Sequence, residues 1–508
     1  MNRRRALLAG GGVTLLVATF GAGAWFGQER VRARNEWAEG RLLSSAIDSV
    51  RANAIDSLPS DELIRRAVSG MLRELHDPYA ALMKPDGYQK YRYTMQGEAQ
   101  GLGFTLRRQA GETRIARIAP GSPAAMAGAR PGDRIVSVND VPISQGWGRP
   151  ASDTNSAPLR HAEIMVVRAP NGDSVRLAMK RGAWHTSAVS DAARLTDSVA
   201  YVRLASVTAK SSSELENVVD SLRSRGAVSL VLDLRGNAGG LFEEGVKAAG
   251  LFLPRGVLVA SLDGRRGLPP ERHTNRRSRW PTMPMTVLVD GSTASAAEVI
   301  AAALRDHKRA LLVGAPTYGK GVVQRVVTLT PELSLRLTTA RWHTPNGETL
   351  ERRQGTGKDA RGGMLPDVLL DDASRKDPFS LPREWPTSTI AKLSSVADSA
   401  AVGALRDGWA DTPLPLLESR LRDRVARLVP KSVKGEASRA TWTNVGTRIA
   451  TVRVLEIGST ADALLRYSVR DDAALRAGVD VVSPGSELTR VLPSPFSAVT
   501  LPRGLDAR

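Results

Sequence analysis

Cysteine is absent from all 508 residues, which excludes disulfide frameworks, thiol catalysis and cysteine-ligated metals. Histidine occurs six times and never in an HExxH pair, so a zinc-peptidase mechanism has little to draw on. A Ser-His-Asp triad would have to recruit one of the few imidazoles, such as His307 or His343. Aromatic residues make up 5% of the chain, few for a surface that stacks bases, and no nucleic-acid motif accompanies the positive charge. Acidic residues are the scarcer sign, 52 Asp plus Glu against 71 Lys plus Arg, for a net charge of +19. The densest basic cluster is Arg265-Arg266, Arg272, Arg276-Arg277 and Arg279. Spread as they otherwise are, the basic residues read as a solvated surface with a bias toward anionic membranes. What the chain does have is 42% hydrophobic composition, ample for several cores at roughly three or four domains.

Long apolar runs are also scarce, and the longest stands at the amino end. Arg3-Arg4-Arg5 precedes the uncharged stretch from Ala6 to Phe26, and Glu29, Arg30, Arg32 and Arg34 follow. That length spans a bilayer as a helix, with the amino end inside. Ala22-Gly23-Ala24 offers a signal-peptidase pattern, so a removable signal is the alternative. Either reading places the chain from about Gln28 onward in the cell envelope, outside the cytoplasm, periplasmic or extracellular. The lack of cysteine suits that compartment.

From Glu36 to Leu75 apolar residues keep helical spacing, with a break near Pro59, and predict two amphipathic helices, the second capped by Ser60 or Asp61. Asp77-Pro78-Tyr79 ends the pattern. Residues 97–182 read as a β-rich module: Gly101-Leu102-Gly103-Phe104 opens a strand to Arg108, Ile115 to Ile118 forms another, and Gly121 to Gly128 a short helix. A turn and strand follow over Pro131 to Asn139. The Gly-Leu-Gly-Phe loop followed at this distance by Gly-x-x-Pro-Gly-Asp-x-Ile resembles a PDZ domain, leaving aside the irregular stretch Gln145 to Pro158. The resemblance implies that the loop 101–104 points backbone amides at a peptide's terminal carboxylate while the peptide extends the sheet.

Beyond the module, strands are expected over Val199–Leu204, Ser229–Leu234, Thr286–Val289 and Ala310–Val313. Helices are expected over Ser213–Arg223, Val246–Leu253 and Ala296–Leu304. Alternation of this kind predicts α/β layering with largely parallel strands. The glycine-rich run Asp233-Leu234-Arg235-Gly236-Asn237-Ala238-Gly239-Gly240 closes one strand, the kind of loop that hosts function.

Two residues carry the chemistry. Ser295 lies in Thr293-Ala294-Ser295-Ala296-Ala297-Glu298, and Lys320 lies in Thr317-Tyr318-Gly319-Lys320-Gly321. A serine hydroxyl is a weak nucleophile unless a neighbouring base takes its proton, and lysine serves as that base where burial or nearby positive charge deprotonates it. Each residue also has a structural reading. Ser295-x-x-Glu298 ahead of an apolar run is a capping box, and Gly319-Lys320-Gly321 fits a turn between strands. The readings are compatible, because a helix start offers free amides to a developing oxyanion.

With these segments in order, residues 36–372 resemble the carboxyl-terminal processing peptidases, or tail-specific proteases. Six motifs carry the likeness: Leu75 to Tyr79, the PDZ stretch, Asp233 to Gly240, the Ser295 segment, Thr317 to Gly321, and Gly363-Met364-Leu365-Pro366-Asp367. The resemblance implies Ser295 as nucleophile, Lys320 as general base and Gln324 as the residue that orients the lysine. It implies an oxyanion hole from the amides of Gly239 or Gly240 and Ala296. Asp306 matches an acidic position of the family and reads equally as a surface aspartate near a helix end. Ala238 and Ala297 depart from the family's usual proline and serine without removing a proposed group.

The implied fold is α/β, a crotonase/ClpP-like layered protease core with an inserted PDZ domain. The expected layout is an anchor or signal segment over 1–35, a helical region over 36–96, the PDZ domain over 97–182 and the serine protease core over 183–373. An accessory α+β region follows over 374–508, with a helix from Pro413 to Pro430 and strands over Ala450–Ile457 and Leu464–Val469. Protein substrates with accessible carboxyl termini, a membrane tether and compatibility with a homo-oligomer are implied; no cofactor, metal or nucleic acid is. The competing functions are an inactive membrane-tethered PDZ scaffold, which has no need of the serine, lysine, glutamine and glycine pair together, and a crotonase-type acyl-CoA enzyme, which an exported location and a PDZ module disfavour.

Overall fold

The computed structural model describes residues 40–56, 58–109, 112–143, 161–168, 172–265, 268–351, 362–370, 387–458, 463, 467 and 472–483. The expected anchor or signal segment and the stretch Gln145 to Pro158 lie outside them. Among the described residues no helix is long and apolar enough to cross a membrane. The chain forms two compact units, one of residues up to 84 with 326–337, the other of 85–325 with 338–508.

In the first unit, helix α1 covers 40–53 and α2 covers Ser60–Glu74. Ser60 and Asp61, expected as caps, sit inside the first turn of α2, because Pro59 takes the cap position. Asp61 and Glu62 instead place negative charge at the positive end of the helix dipole. The Asp77-Pro78-Tyr79 break is a side-chain turn, with Asp77 Oδ1 accepting from Tyr79 N at 2.9 Å. Strand β1 (Ala81–Met83) then pairs antiparallel with residues 334–336.

The second unit begins with α3 (Pro85–Gln96) and β2 (Glu98–Gly101). The β-rich module follows as β3 (Phe104–Gln109), β4 (Glu112–Ile118), α4 (Pro123–Met126), β5 (Arg134–Val138), β6 (Val141–Pro142), β7 (His161–Arg168) and β8 (Asp173–Lys180). Its sheet order is β3-β4-β5-β7-β8, which leaves β3 as an end strand. Ile115, Ile135, Ile164, Val166, Leu177 and Met179 fill its core. The return strand β9 (Gly182–His185) pairs antiparallel with β2, so the module leaves and re-enters the chain through one two-stranded ribbon.

The core comprises β10 (Val189–Arg194), β11 (Val199–Leu204), α5 (Ser211–Ser224), β12 (Ser229–Asp233), α6 (Phe242–Gly250), β13 (Leu258–Asp263), β14 (Glu271–Thr274), β15 (Met285–Val289), α7 (Ala296–Asp306) and β16 (Leu311–Gly314). β17 (Val322–Thr330) and β18 (Leu333–His343) form a hairpin whose residues 326–337 belong to the first unit, and the short β19 (Val368–Leu369) follows. One sheet runs β10-β11-β12-β15-β16-β19, parallel except for the β10–β11 pair. Its central strands are continuous apolar runs because both faces are covered. Ala200, Val202, Leu230, Leu232 and Val287 face the core built with α5, α6 and α7. Val199, Tyr201, Val231, Leu288 and Val313 face a second cluster, completed by Leu475, Val481 and Val482.

Those last residues belong to the carboxyl-terminal region. Helices α8 (Thr387–Arg406), α9 (Leu414–Leu428) and α10 (Glu436–Gly458) form a bundle around Leu393, Ala397, Leu417, Leu421, Val425 and Val454. Helix α9 fulfils the expectation over Pro413 to Pro430. The strand expected over Ala450–Ile457 is instead part of α10, so the accessory region is helical where it is described. Packing overrides the β-branched composition here: Ala450 and Val454, one turn apart, face the bundle core. Thr447 and Thr451 return their hydroxyls to carbonyls four residues back, at 2.7 and 2.9 Å. Of the strand expected over Leu464–Val469 only Tyr467 is described, and it is helical. Helix α11 (Ala473–Val482) then crosses the second face of the core sheet. Gly478 brings it close enough for Thr286 Oγ1 to donate to the Gly478 carbonyl at 3.2 Å.

Candidate active site

Three loops leave the carboxyl ends of the adjacent parallel strands β12, β15 and β16. In register, Asp233 lies beside Leu288 and Leu288 beside Val313, so the loops start level with one another. The first carries Gly239 and Gly240, the second Ser295, the third Lys320. Crevices at such strand ends are where α/β sheets bind ligands.

Ser295 precedes α7 with φ 57° and ψ −123°. A residue with a Cβ enters that region only when its surroundings impose it, at a cost of about 1–3 kcal/mol. The surroundings are identifiable. Ala294 N donates to the Asn237 carbonyl at 2.9 Å and Tyr318 N to the Thr293 carbonyl at 3.0 Å. Thr293 Oγ1 donates to the Leu234 carbonyl at 2.9 Å. A strand-to-helix elbow under such constraint presents the serine at the helix start.

Glu298 ties the second loop to the third. Its carboxylate is fully buried and accepts four donors. Oε2 takes the amides of Ser295 and Lys320, each at 2.8 Å; Oε1 takes Thr317 Oγ1 at 2.6 Å and the Gly319 amide at 2.8 Å. The backbones of Ser295 and Lys320 therefore meet at a single oxygen. Burial pushes the Glu298 carboxyl above its ordinary range, while the four donors pull it back. The capping box expected at Ser295 is thus half of a larger device, in which the glutamate also grips the lysine turn.

Lys320 is held from its other side by Trp342, whose Nε1 donates to the Lys320 carbonyl at 2.9 Å and whose amide donates to Gly321 at 3.0 Å. The Gly363-to-Asp367 motif buttresses the same turn. Met364 N donates to Thr317 Oγ1 at 2.8 Å, and Asp367 Oδ2 accepts from Leu312 N of β16 at 2.7 Å. Ser295, Lys320 and Gln324 are each half-buried. Gln324, on β17, donates to Thr338 Oγ1 of β18 at 3.5 Å.

The glycine loop closes on the serine. A methyl on Gly239, at φ 88°, would lie 2.6 Å from the Ala294 carbonyl, 2.8 Å from the Ala296 amide and 2.9 Å from Ser295 Cβ. The Gly239 amide donates to Asn237 Oδ1 at 2.8 Å, whereas the amides of Gly240 and Ala296 have no partner among the described residues. If the loop forms the oxyanion hole that the resemblance implies, Gly239→Ala should lower kcat about 100-fold, the scale of a lost or displaced oxyanion donor, while circular dichroism stays unchanged; kcat within threefold of wild type would contradict that role.

His307 and Asp306 fall at the other end of α7, about 16 Å from its start for an 11-residue helix. His307 Nε2 contacts the Leu258 carbonyl at 2.7 Å. Asp306 accepts from Arg305 and from Asn346 N at 3.0 Å, a structural role. Asp290, which the motifs did not single out, accepts from the amides of Gly236, Ser292 and Thr293 and so joins the glycine loop to the serine loop. Its signal is an Asp-Gly-Ser-Thr turn directly after a buried strand.

In the module, the carbonyls of Leu102 and Gly103 accept from Ala124 N at 2.8 Å and Ala119 N at 2.7 Å. Because trans peptide units oppose their C=O and N–H, the amides of Gly103 and Phe104 turn the other way, beside the end strand β3.

Residues 198–368 match the peptidase family S41 and residues 114–149 the PDZ domain. The carboxy-terminal processing protease CtpA of Bacillus subtilis (strain 168) is 29% identical over 322 residues, 61% of this chain and 66% of its own length. The chloroplastic C-terminal processing peptidase of Tetradesmus obliquus is 31% identical over 322 residues, 60% of this chain and 67% of its own. The chain thus spans about two thirds of the length of these relatives. The solved structure of the photosystem II D1 C-terminal processing protease is 28% identical, covering 64% of this chain and 86% of that one, with a TM-score of 0.39. By the family matches across its core and its β-rich module and by its identity to the Tetradesmus obliquus peptidase, the chain belongs to peptidase family S41, the serine-type carboxyl-terminal processing peptidases.

Proposed function

We propose that the protein is an exported, membrane-tethered endopeptidase that cleaves proteins near their carboxyl termini, with Ser295 as nucleophile and Lys320 as general base. The observation that carries this reading is the Glu298 carboxylate, one oxygen of which holds the amides of both residues. Ser295 Oγ attacks the scissile carbonyl while the neutral Lys320 amine takes its proton. The amides of Gly240 and Ala296 receive the oxyanion, with Gly239 shaping the turn that aims them. The tetrahedral intermediate collapses, the C–N bond breaks, and Lys320 returns the proton to the leaving amine. Water then hydrolyses the acyl-enzyme by the same route. Gln324 orients the lysine side chain.

The PDZ loop Gly101-Leu102-Gly103-Phe104 captures the substrate's terminal carboxylate, and the peptide adds to β3. The tether rests on Arg3-Arg4-Arg5 followed by the uncharged run from Ala6 to Phe26. A protein substrate with a flexible tail, compared with the same substrate amidated at its carboxyl end, tests the capture. Amidation should lower kcat/KM about tenfold, the scale of a lost charge-assisted hydrogen bond; equal rates would sink it.

A further inference from the structure

We propose that Asp472, at the far end of the chain, is a positioning residue for this active site, holding the glycine loop through Arg235. Arg235 stands at the head of that loop, two residues past the end of β12. Its amide and Nε donate to Asp233 Oδ1, both at 2.9 Å, and its Nη2 reaches Asp233 Oδ2 at 2.6 Å. The remaining face of the guanidinium is taken by Asp472: Nη1 donates to Oδ1 at 3.0 Å and Nη2 lies 2.8 Å from Oδ2. Both side chains of this second pair are about four-fifths buried, at 19% and 21% exposure. Tyr201 Oη completes the cluster by donating to Asp233 Oδ2 at 2.9 Å.

A guanidinium forked on one carboxylate can still swing about that contact; a second carboxylate on its other edge fixes the plane. The next residue, Gly236, donates its amide to both oxygens of Asp290 at 3.1 Å. Asp290 also holds the amides of Ser292 and Thr293 at 2.8 and 2.9 Å. A shift of Arg235 is thereby passed to the loops carrying Gly240 and Ser295. Asp472 is also the amino cap of α11, accepting from Leu475 N at 2.9 Å. One side chain both docks α11 on the sheet and orients the loop. This assigns a task to residues well beyond 198–368, the span of the peptidase match.

The inference rests on the reading of Ser295 as nucleophile, and the variants separate the two. Asp472→Asn keeps a good helix cap and removes the charge, Asp472→Ala removes both, and Asp472→Glu restores the charge. In the full chain, Asp472→Asn should lower kcat on a tailed protein about tenfold, the scale of a small misplacement of reacting groups. KM should stay within twofold, and amides 473–482 should remain as protected from hydrogen exchange as in wild type. Asp472→Glu should recover part of the rate. A wild-type kcat in Asp472→Asn, with Ser295→Ala inactive, overturns the inference alone. A rate that falls only where protection of 473–482 is lost overturns it as well, because docking of the helix then accounts for the effect. Activity retained by Ser295→Ala overturns the reading beneath it.

Discussion

Lys320→Ala lowers kcat/KM for a tailed protein substrate by about 10⁴-fold or more, and Ser295→Ala does the same, because each leaves the attack without a nucleophile or without a base. Both variants melt close to wild type: Glu298 holds the backbones, not the side chains, of these residues. The double variant is no worse than either single one, since two groups that act as a unit are lost once. Lys320→Arg is also inactive, because a guanidinium stays protonated at every working pH and cannot accept the hydroxyl proton. Steady-state kinetics on the four proteins, with melting curves alongside, reads all of this. Substantial activity in Lys320→Ala would return Lys320 to a turn residue.

Glu298→Ala has the second-largest effect, and unlike the dyad variants it touches both rate and stability. It leaves three amides and the Thr317 hydroxyl without their acceptor in a buried site. At about 1–3 kcal/mol for each buried group left unsatisfied, partly recovered by relaxation and water, the loss is about 4 kcal/mol. The rate falls at least about 100-fold, because the elbow at Ser295 and the turn at Lys320 lose their common anchor.

Glu298→Gln gives the pH test. Burial raises the Glu298 carboxyl above its ordinary 4.5. Above that ordinary value the unfolded chain has released a proton that the folded protein still holds. The carboxyl's contribution to stability is therefore fully present below the unfolded pKa and is lost as pH rises through the folded one. Urea midpoints from pH 4 upward should show the wild type losing ground relative to Glu298→Gln, which has no such proton to release. A wild type that gains ground over the same range would mean that the four donors outweigh burial.

Much of the core was legible because its strands are short, continuous apolar runs separated by helical spacing. Ser229–Asp233 and Met285–Val289 are buried at every position, and only a sheet covered on both faces accounts for that. The covering of the second face was not legible. Helix α11 is ten residues long, and its attachment depends on Gly478 and Asp472, neither of which forms a local pattern with the strands it meets. Ser295 and Lys320 were legible as motifs and ambiguous as single residues. Glu298 was visible only as a local cap, since its partners Gly319 and Lys320 lie 21 and 22 positions away. The cross-loop bonds of Asn237 to Ala294 and of Asp290 to Gly236 were hidden for the same reason, because only the sheet order brings those loops together. Over Ala450–Ile457 a strand was expected, and the bundle formed with α8 and α9 decided for a helix.

Covalent labelling tests the central claim most directly. A peptidyl phosphonate, which reacts only with an activated serine, should modify the protein at Ser295 alone, as located by peptide mass spectrometry. Labelling should disappear in Lys320→Ala while the protein remains folded. Modification at a different serine, or equal labelling of Ser295 with and without Lys320, would contradict the assignment of a serine–lysine active site.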